Sequence, residues 1–171
     1  MRSPLQFSTS IRPVRSPDGP IALTADNGDN GTSNGNVDTV SVIDLTAPVH
    51  VIDHVTVPDS PEGLAFSPKG NLAVSADALG SNHSKQDWYY HPHGVVSVLK
   101  VDGKNVTKVD DLEVGALPEA AAFTPDGRYL YVGNYIDQDF SILQVDGTKI
   151  TDTGKRFKVP GHPGSARMSP H

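Results

Sequence analysis

The chain contains no cysteine, which excludes a disulfide framework and thiolate chemistry together. No apolar run approaches the roughly 18 residues that a membrane-spanning helix needs, and the opening stretch 1–16 lacks the apolar core of a secretory leader. The compartment stays open, with a periplasmic or secreted setting expected if an export signal has been removed. Basic residues number 14 against 20 acidic ones, for a net charge of −6, and never run longer than two. Nucleic acid and anionic membrane are therefore not the expected partners. The glycine patterns that cradle nucleotide phosphates are missing, as is the G-x-S-x-G elbow of serine hydrolases.

What is present is turn chemistry. The 171 residues include 16 glycines and 14 prolines, with only 20% charged residues. That mixture suits many short strands rather than long helices. A chain of this length is one domain in size and buries roughly 68–70% of its unfolded surface.

One phrase recurs. Aligning Pro61, Pro118 and Pro163 brings Phe66, Phe123 and Met168 into register, followed by Ser67-Pro68, Thr124-Pro125 and Ser169-Pro170. Val57, Val114 and Val159 coincide four residues before each proline. After each turn comes a strand-like run, "PIALTAD", "NLAVSAD" or "RYLYVGN". A second follows ("VSVIDL", "VSVLKV", "FSILQV"), then a third ("VIDHVTV", "VDDLEV", "GKRFKV"). With "GLAF" or "AAAF" as the innermost strand, each unit holds four strands. Pro-Asp-Gly and Asp-Gly-Lys or Asp-Gly-Thr turns close the hairpins. The expected fold is all-β: about three four-stranded antiparallel propeller blades in a single segment 1–171, with repeat units near 16–66, 67–123 and 124–168. A two-layer sandwich is the alternative, disfavoured because the whole phrase repeats and not only the strands.

The runs "RYLYVGN", "FSILQVDG" and "DTVSVIDL" resemble the YVTN-type repeats of seven-bladed, lactonase-like propeller proteins. The resemblance covers about 17–170. It implies a propeller fold, and an activity only by analogy, since such repeats serve binding, structural and enzymatic proteins. Three units are fewer than the usual four to eight blades. The expectation is an incomplete ring, or half of an oligomeric one, and self-association through the uncovered end blades.

Uneven spacing locates the candidate chemistry. Between the second and third strands, unit three needs only residues 133–139, while units one and two spend 24–39 and 75–95. Both insertions are expected on the rim that carries the blade-to-blade crossovers. The first holds Asp26, Asp29 and Asp38 among asparagines and glycines, either a calcium-binding loop or a plain polar one. Asn30-Gly31-Thr32 and Asn105-Val106-Thr107 have the glycosylation spacing. The second insertion concentrates His83, His91 and His93 with Asp77, a set that could hold zinc. It also carries Trp88, Tyr89 and Tyr90, either a partner-binding anchor or a means of pinning the loop to the rim. The crossovers offer Glu62 and Glu119, with His162 just before the third proline and Asn134 ending a second strand nearby. These could hold a divalent ion such as calcium, as the resemblance to calcium-dependent lactonases implies, or Glu62 and Glu119 could bond crossover amides. The expected function is a module that binds a protein or small-molecule ligand on the loop-bearing face. The alternative is a metal-dependent lactonase-like hydrolase, completed by further blades or by oligomerisation. No cofactor is certain beyond that possible calcium or zinc ion.

Overall fold

A computed structural model describes residues 13–17, 19–28 and 31–168. Among them are twelve strands and no helix. The first sheet contains β1 (Val14–Arg15), β2 (Ile21–Asp26), β3 (Asp38–Asp44) and β4 (His50–Val57). The second contains β5 (Pro61–Phe66), β6 (Leu72–Asp77), β7 (Val95–Asp102) and β8 (Asn105–Glu113). The third contains β9 (Pro118–Phe123), β10 (Tyr129–Asn134), β11 (Asp139–Asp146) and β12 (Lys149–Lys158). Each sheet is an antiparallel meander in chain order. The expected all-β fold is what the chain adopts: three four-stranded sheets, consistent with an incomplete propeller. Each proline-led phrase opens a new sheet, so Pro61 and Pro118 begin the inner strands and belong with the three strands that follow them.

The repeat extends to details that residue identity does not reveal. The third and fourth strands of every sheet shift register at one equivalent place, after Val42, Val98 and Ile142. The turns between the first and second strands close as their composition demands. Gly70 and Gly127 sit at φ 70° and 69°, conformations that only glycine adopts freely. Their amides donate to Ser67 and Thr124 at 2.9 and 2.8 Å.

The inner strands line up, with β5 packed beside β9 on one side and beside β1 and β2 on the other. The core is accordingly two layers of side chains, one between each pair of sheets. Ile21, Leu23, Val40, Val42, Val55 and Val57 of the first sheet meet Phe66, Ala73, Leu99 and Val101 of the second. On its other face the second sheet presents Leu72, Val74, Ala76, Val96 and Val98 to Ala121, Phe123, Leu130, Val132 and Leu143 of the third. The second sheet is therefore apolar on both faces. Period-two alternation sends neighbours along one strand, such as Ala73 and Val74, to opposite interfaces.

A repeated polar cluster stands at the end of each second strand, within an interface in the second and third sheets and on the outer face in the first. Asp77 is fully buried and accepts hydrogen bonds from the hydroxyls of Ser75 and Ser97, both at 2.6 Å. Asn134 takes the same place in the third sheet. It donates to Asp139 and Ser141 at 2.8 and 2.9 Å and accepts from the Gly115 amide at 2.9 Å. In the first sheet Asp26 accepts from Thr24, Thr39 and Ser41. Burial, opposed by the two serine hydroxyls, pushes the Asp77 carboxyl up to about 7.

An unfolded aspartate titrates near 3.9, so Asp77 holds its proton in the fold from about pH 4 to about pH 7. Its contribution to stability is complete below the unfolded pKa and is lost as pH rises through the folded one. Asp77→Asn, which copies the third sheet, has no proton to lose. Its melting temperature relative to the parent chain is expected to climb between pH 5 and pH 8. At pH 8 the variant is expected to melt about 2–8 °C higher, an effect of roughly 1–2 kcal/mol in a chain of this size. Circular-dichroism melts across that range measure it, and a difference that stays flat with pH would show that Asp77 titrates as an ordinary carboxylate.

Candidate functional site

The crossovers, the two insertions and the segment after β12 share one rim, and hydrogen bonds join them. Ser60 and Leu117 precede the two crossover prolines and take left-handed backbone conformations, φ 60° and 50°, each costing a non-glycine residue roughly 1–2 kcal/mol. Both are held alike. Ala78 and Leu79 donate to the carbonyls of Ser60 and Asp59, and Tyr135 and Ile136 donate to those of Leu117 and Ala116. The crossover amides are capped by side chains: Ser60 N by Asp38, Ala116 N by Asp137 and Leu117 N by the Ser81 hydroxyl, each at 2.8 Å. The glutamates are therefore not needed there, because Asp38, Ser81 and Asp137 do the capping that was one reading of Glu62 and Glu119.

The insertions are knitted to each other. Asp59, only 4% exposed, accepts from the amides of Asn34 and Gly35 at 3.0 and 2.7 Å. His83 lies between the two loops, with Nε2 2.8 Å from the Thr32 hydroxyl and Nδ1 3.0 Å from the Tyr89 hydroxyl. The Ser33 hydroxyl donates to Asn82 and accepts from the Gly80 amide. Gly35 (φ 82°) passes so close under Trp88 and Tyr89 that a Cβ there would collide with the Trp88 ring and the Tyr89 Cβ. Trp88 meets Tyr89 edge-on at 5.4 Å and leaves 80% of its own surface in solvent. Beside it opens a mostly apolar cavity of about 350 Å³ lined by Val37, Val57, Pro58, Leu79 and Trp88, with His91 and Lys108 at its edge. Tyr90 is half-buried, and His91 and His93 are exposed. Asp29 and Asn30 lie outside the described residues, and Asn105 is exposed at the start of β8, where it pairs with Asp102 to close a hairpin.

A second cluster stands at the mouth of the central cleft. That cleft encloses about 890 Å³ between β5, β9 and residues 164–168. Glu62 and Glu119 project into it from the second residues of their inner strands. Asn27 donates to the Ser60 hydroxyl at 2.7 Å and to Glu62 Oε1 at 3.4 Å. Burial, then the charge of Glu119, pushes the Glu62 carboxyl up to about 7. Burial also raises Glu119, which His162 partly offsets. His162 stacks on Tyr135 at 4.6 Å, donates from Nδ1 to the Tyr135 carbonyl at 2.7 Å and faces the Gln138 amide through Nε2. Gly164 runs within contact of Glu119.

The structure thus brings Glu62, Glu119 and His162 to one mouth, and His83, Trp88 and Tyr89 to one platform. Asp77 and Asn134 stand apart from both, inside the sheets. Among the described residues no three His, Asp or Glu side chains converge on one point, and both ring nitrogens of His83 already have partners. The oxygens best disposed toward a hard cation are those of Glu62 and Glu119; Asn27 turns its amide nitrogen to Glu62, and its Oδ1 is buried with no hydrogen-bond partner. Asn27, Ser60 and Asp59 escaped the sequence reading. Their one signal was position, polar residues at a strand end and a crossover on the rim already marked by the insertions.

No protein-family profile matches the chain, and no curated protein does. Solved structures do match. A candidate 6-phosphogluconolactonase from Bacteroides fragilis superposes with a TM-score of 0.70 at 22% identity, over 90% of this chain and 40% of its own. A second, from Bacteroides uniformis, gives 0.69 at 19% identity over 89% and 42%. A chain of Kuenenia stuttgartiensis hydrazine synthase gives 0.68 at 18% identity over 91% and 51%. At these identities the likeness establishes the fold, and the chain spans between two fifths and one half of the length of these neighbours.

Asp59 holds the first insertion beneath Trp88, the single tryptophan. Asp59→Ala is expected to free the Asn34 and Gly35 amides at a cost of about 1–3 kcal/mol in stability and to lower the fluorescence anisotropy of Trp88. Unchanged anisotropy in a folded variant would show that the platform does not depend on this anchor.

Proposed function

We propose that the chain is the ligand-binding arc of a lactonase-like propeller, with its binding surface on the loop-bearing rim. The carrying observation is the platform formed by the two insertions. Where the repeat demands only a short turn, two long loops are bonded to each other and to a crossover, and they raise an exposed tryptophan over an apolar cavity. Aromatic side chains held rigidly at an open edge supply contact area at little entropic cost, the usual chemistry of an anchor for a small molecule or a protein loop. Sugar acids are the first ligands to try, because two structural neighbours are named for a phosphorylated gluconolactone. A sugar presents an apolar face to Trp88, and an anion beside it would share Lys108, which lines the cavity and is ion-paired with Asp111 at 2.5 Å. In isothermal titration with 6-phosphogluconate, Trp88→Ala is expected to weaken binding at least about tenfold, roughly 1.4 kcal/mol. Equal binding by the variant would remove the platform from this reading.

Glu62 and Glu119 favour a second reading, hydrolysis of a lactone at the cleft mouth. A carboxyl raised to about 7 beside another carboxyl can move protons near neutral pH, where general acid–base catalysis is most effective. A calcium ion bound by the Glu62 and Glu119 carboxylates would polarise the lactone carbonyl. If the mouth is catalytic, the chain opens δ-gluconolactone faster than buffer does, and Glu62→Gln or Glu119→Gln lowers that rate about 100-fold. Elemental analysis of the purified chain reports any bound calcium or zinc. Turnover equal to buffer, with Trp88-dependent binding intact, would leave the binding reading alone.

A further inference from the structure

The two outermost sheet faces of the arc are unlike the internal ones and complement each other. Strands β2, β6 and β10 are equivalent, ending at Asp26, Asp77 and Asn134. One face of each carries Ile21-Leu23-Ala25, Leu72-Val74-Ala76 or Tyr129-Tyr131-Gly133, alternate residues in the sequence. In the first two sheets that face is covered by the next sheet. In the third it faces outward. Cross-strand pairing adds Ile142 beside Tyr131, Phe140 beside Gly133 and Phe157 beside Phe140. Tyr129, Tyr131 and Phe157 are 38%, 36% and 59% exposed. Among the described residues, those after β12 reach this face at its inner end, where Pro163 lies against Gly133.

The opposite faces carry Ala22-Thr24-Asp26, Ala73-Ser75-Asp77 and Leu130-Val132-Asn134. The last two rows are buried against the preceding sheet. The first row is the most polar, joined by hydrogen bonds to Thr39, Ser41 and, through Ser41, His54.

We propose that a second copy of this chain covers the aromatic face, seating its first sheet on the third sheet of its partner head to tail. The internal interfaces supply the template, since each leading face takes a trailing face of the same build. Chemistry supplies the match. The only leading face with hydroxyls, that of Tyr129 and Tyr131, meets the only trailing face with a partly exposed row of Thr24, Asp26 and His54. Phenol groups bury their rings while their hydroxyls keep polar partners. A head-to-tail contact generates a closed ring where the rotation permits it and a filament where it does not. Two copies bring six sheets into the ring, within the four to eight blades of closed propellers.

The absence of native cysteine makes the test clean. Thr24→Cys and Tyr131→Cys occupy the positions whose equivalents, Val132 and Val74, belong to one internal core layer. Mixed under mild oxidation, the two single variants are expected to form a disulfide between unlike chains, while neither forms one alone. Sedimentation should give twice the 18.2 kDa chain mass. Tyr131→Glu with Phe157→Glu, both on an exposed face, should raise the dimer dissociation constant at least about tenfold with an unchanged circular-dichroism spectrum. A parent chain that sediments as a monomer at about 100 µM would overturn the proposal. So would crosslinking between like chains through Tyr131→Cys, which marks a back-to-back contact.

Discussion

A β-sheet with apolar side chains on both faces has to be covered twice, and in this chain only the middle sheet is. That requirement sets the architecture. Strand alternation places Ala73 on one interface and Val74 on the other, so the second sheet cannot stand at the edge of a two-layer sandwich without exposing one set. Radial stacking answers this by giving each sheet two neighbours. The small residues of the inner strands follow from the same geometry. Gly63 has the Glu119 carbonyl where a Cβ would go, and Gly133 has Ala120 and Pro163. These positions sit where sheets converge and leave no volume for a side chain.

Radial stacking also concentrates polar chemistry. Crossovers must carry the chain from the outer edge of one sheet to the inner edge of the next, and they do so through strained residues at Ser60 and Leu117. Backbone groups freed at such a turn need partners, and the strand-end loops provide them: Ala78 and Leu79 for one crossover, Tyr135 and Ile136 for the other. Once loop and crossover are bonded, any lengthening of the loop grows over the crossover. The insertions of the first two sheets have done this, and Asp59 shows the result, a crossover carboxylate spent on the amides of an insertion.

Much of this was legible in the letters. The proline-led phrase marks where sheets begin, because an inner strand needs small residues and a following turn, both of which have compositional signatures. The side on which the insertions lie followed from strand count alone. Other features were hidden for physical reasons. Asp77 and Asn134 read as site residues because they are polar and end a strand, yet a strand-end residue can point into a sheet interface as readily as into a channel. Only the three-dimensional alternation decides, and it turns Asp77 toward Ser75 and Ser97. Asn27 was invisible because its role depends on Ser60 and Glu62, more than thirty residues away. His83, His91 and His93 read as one cluster by proximity in sequence, but the loop folds back and hands His83 to Thr32 of the other insertion.

If further sheets close the ring, they act on the cleft mouth directly. Glu62 and Glu119 stand on adjacent inner strands, and their raised pKa values come first from burial, not from a specific partner. Burial at a propeller axis is supplied by every blade that surrounds it. Each further sheet, whatever polypeptide it comes from, removes water from the same cleft and sharpens the electrostatics between the two carboxyls. Lining residues contributed from across the axis would then set the sign: an added carboxylate drives the pair toward sharing a proton, an added cation returns both to the ionised form. The rim platform around Trp88 is built within the first two sheets and is independent of that closure. The mouth is not, so its protonation state would report on closure of the ring.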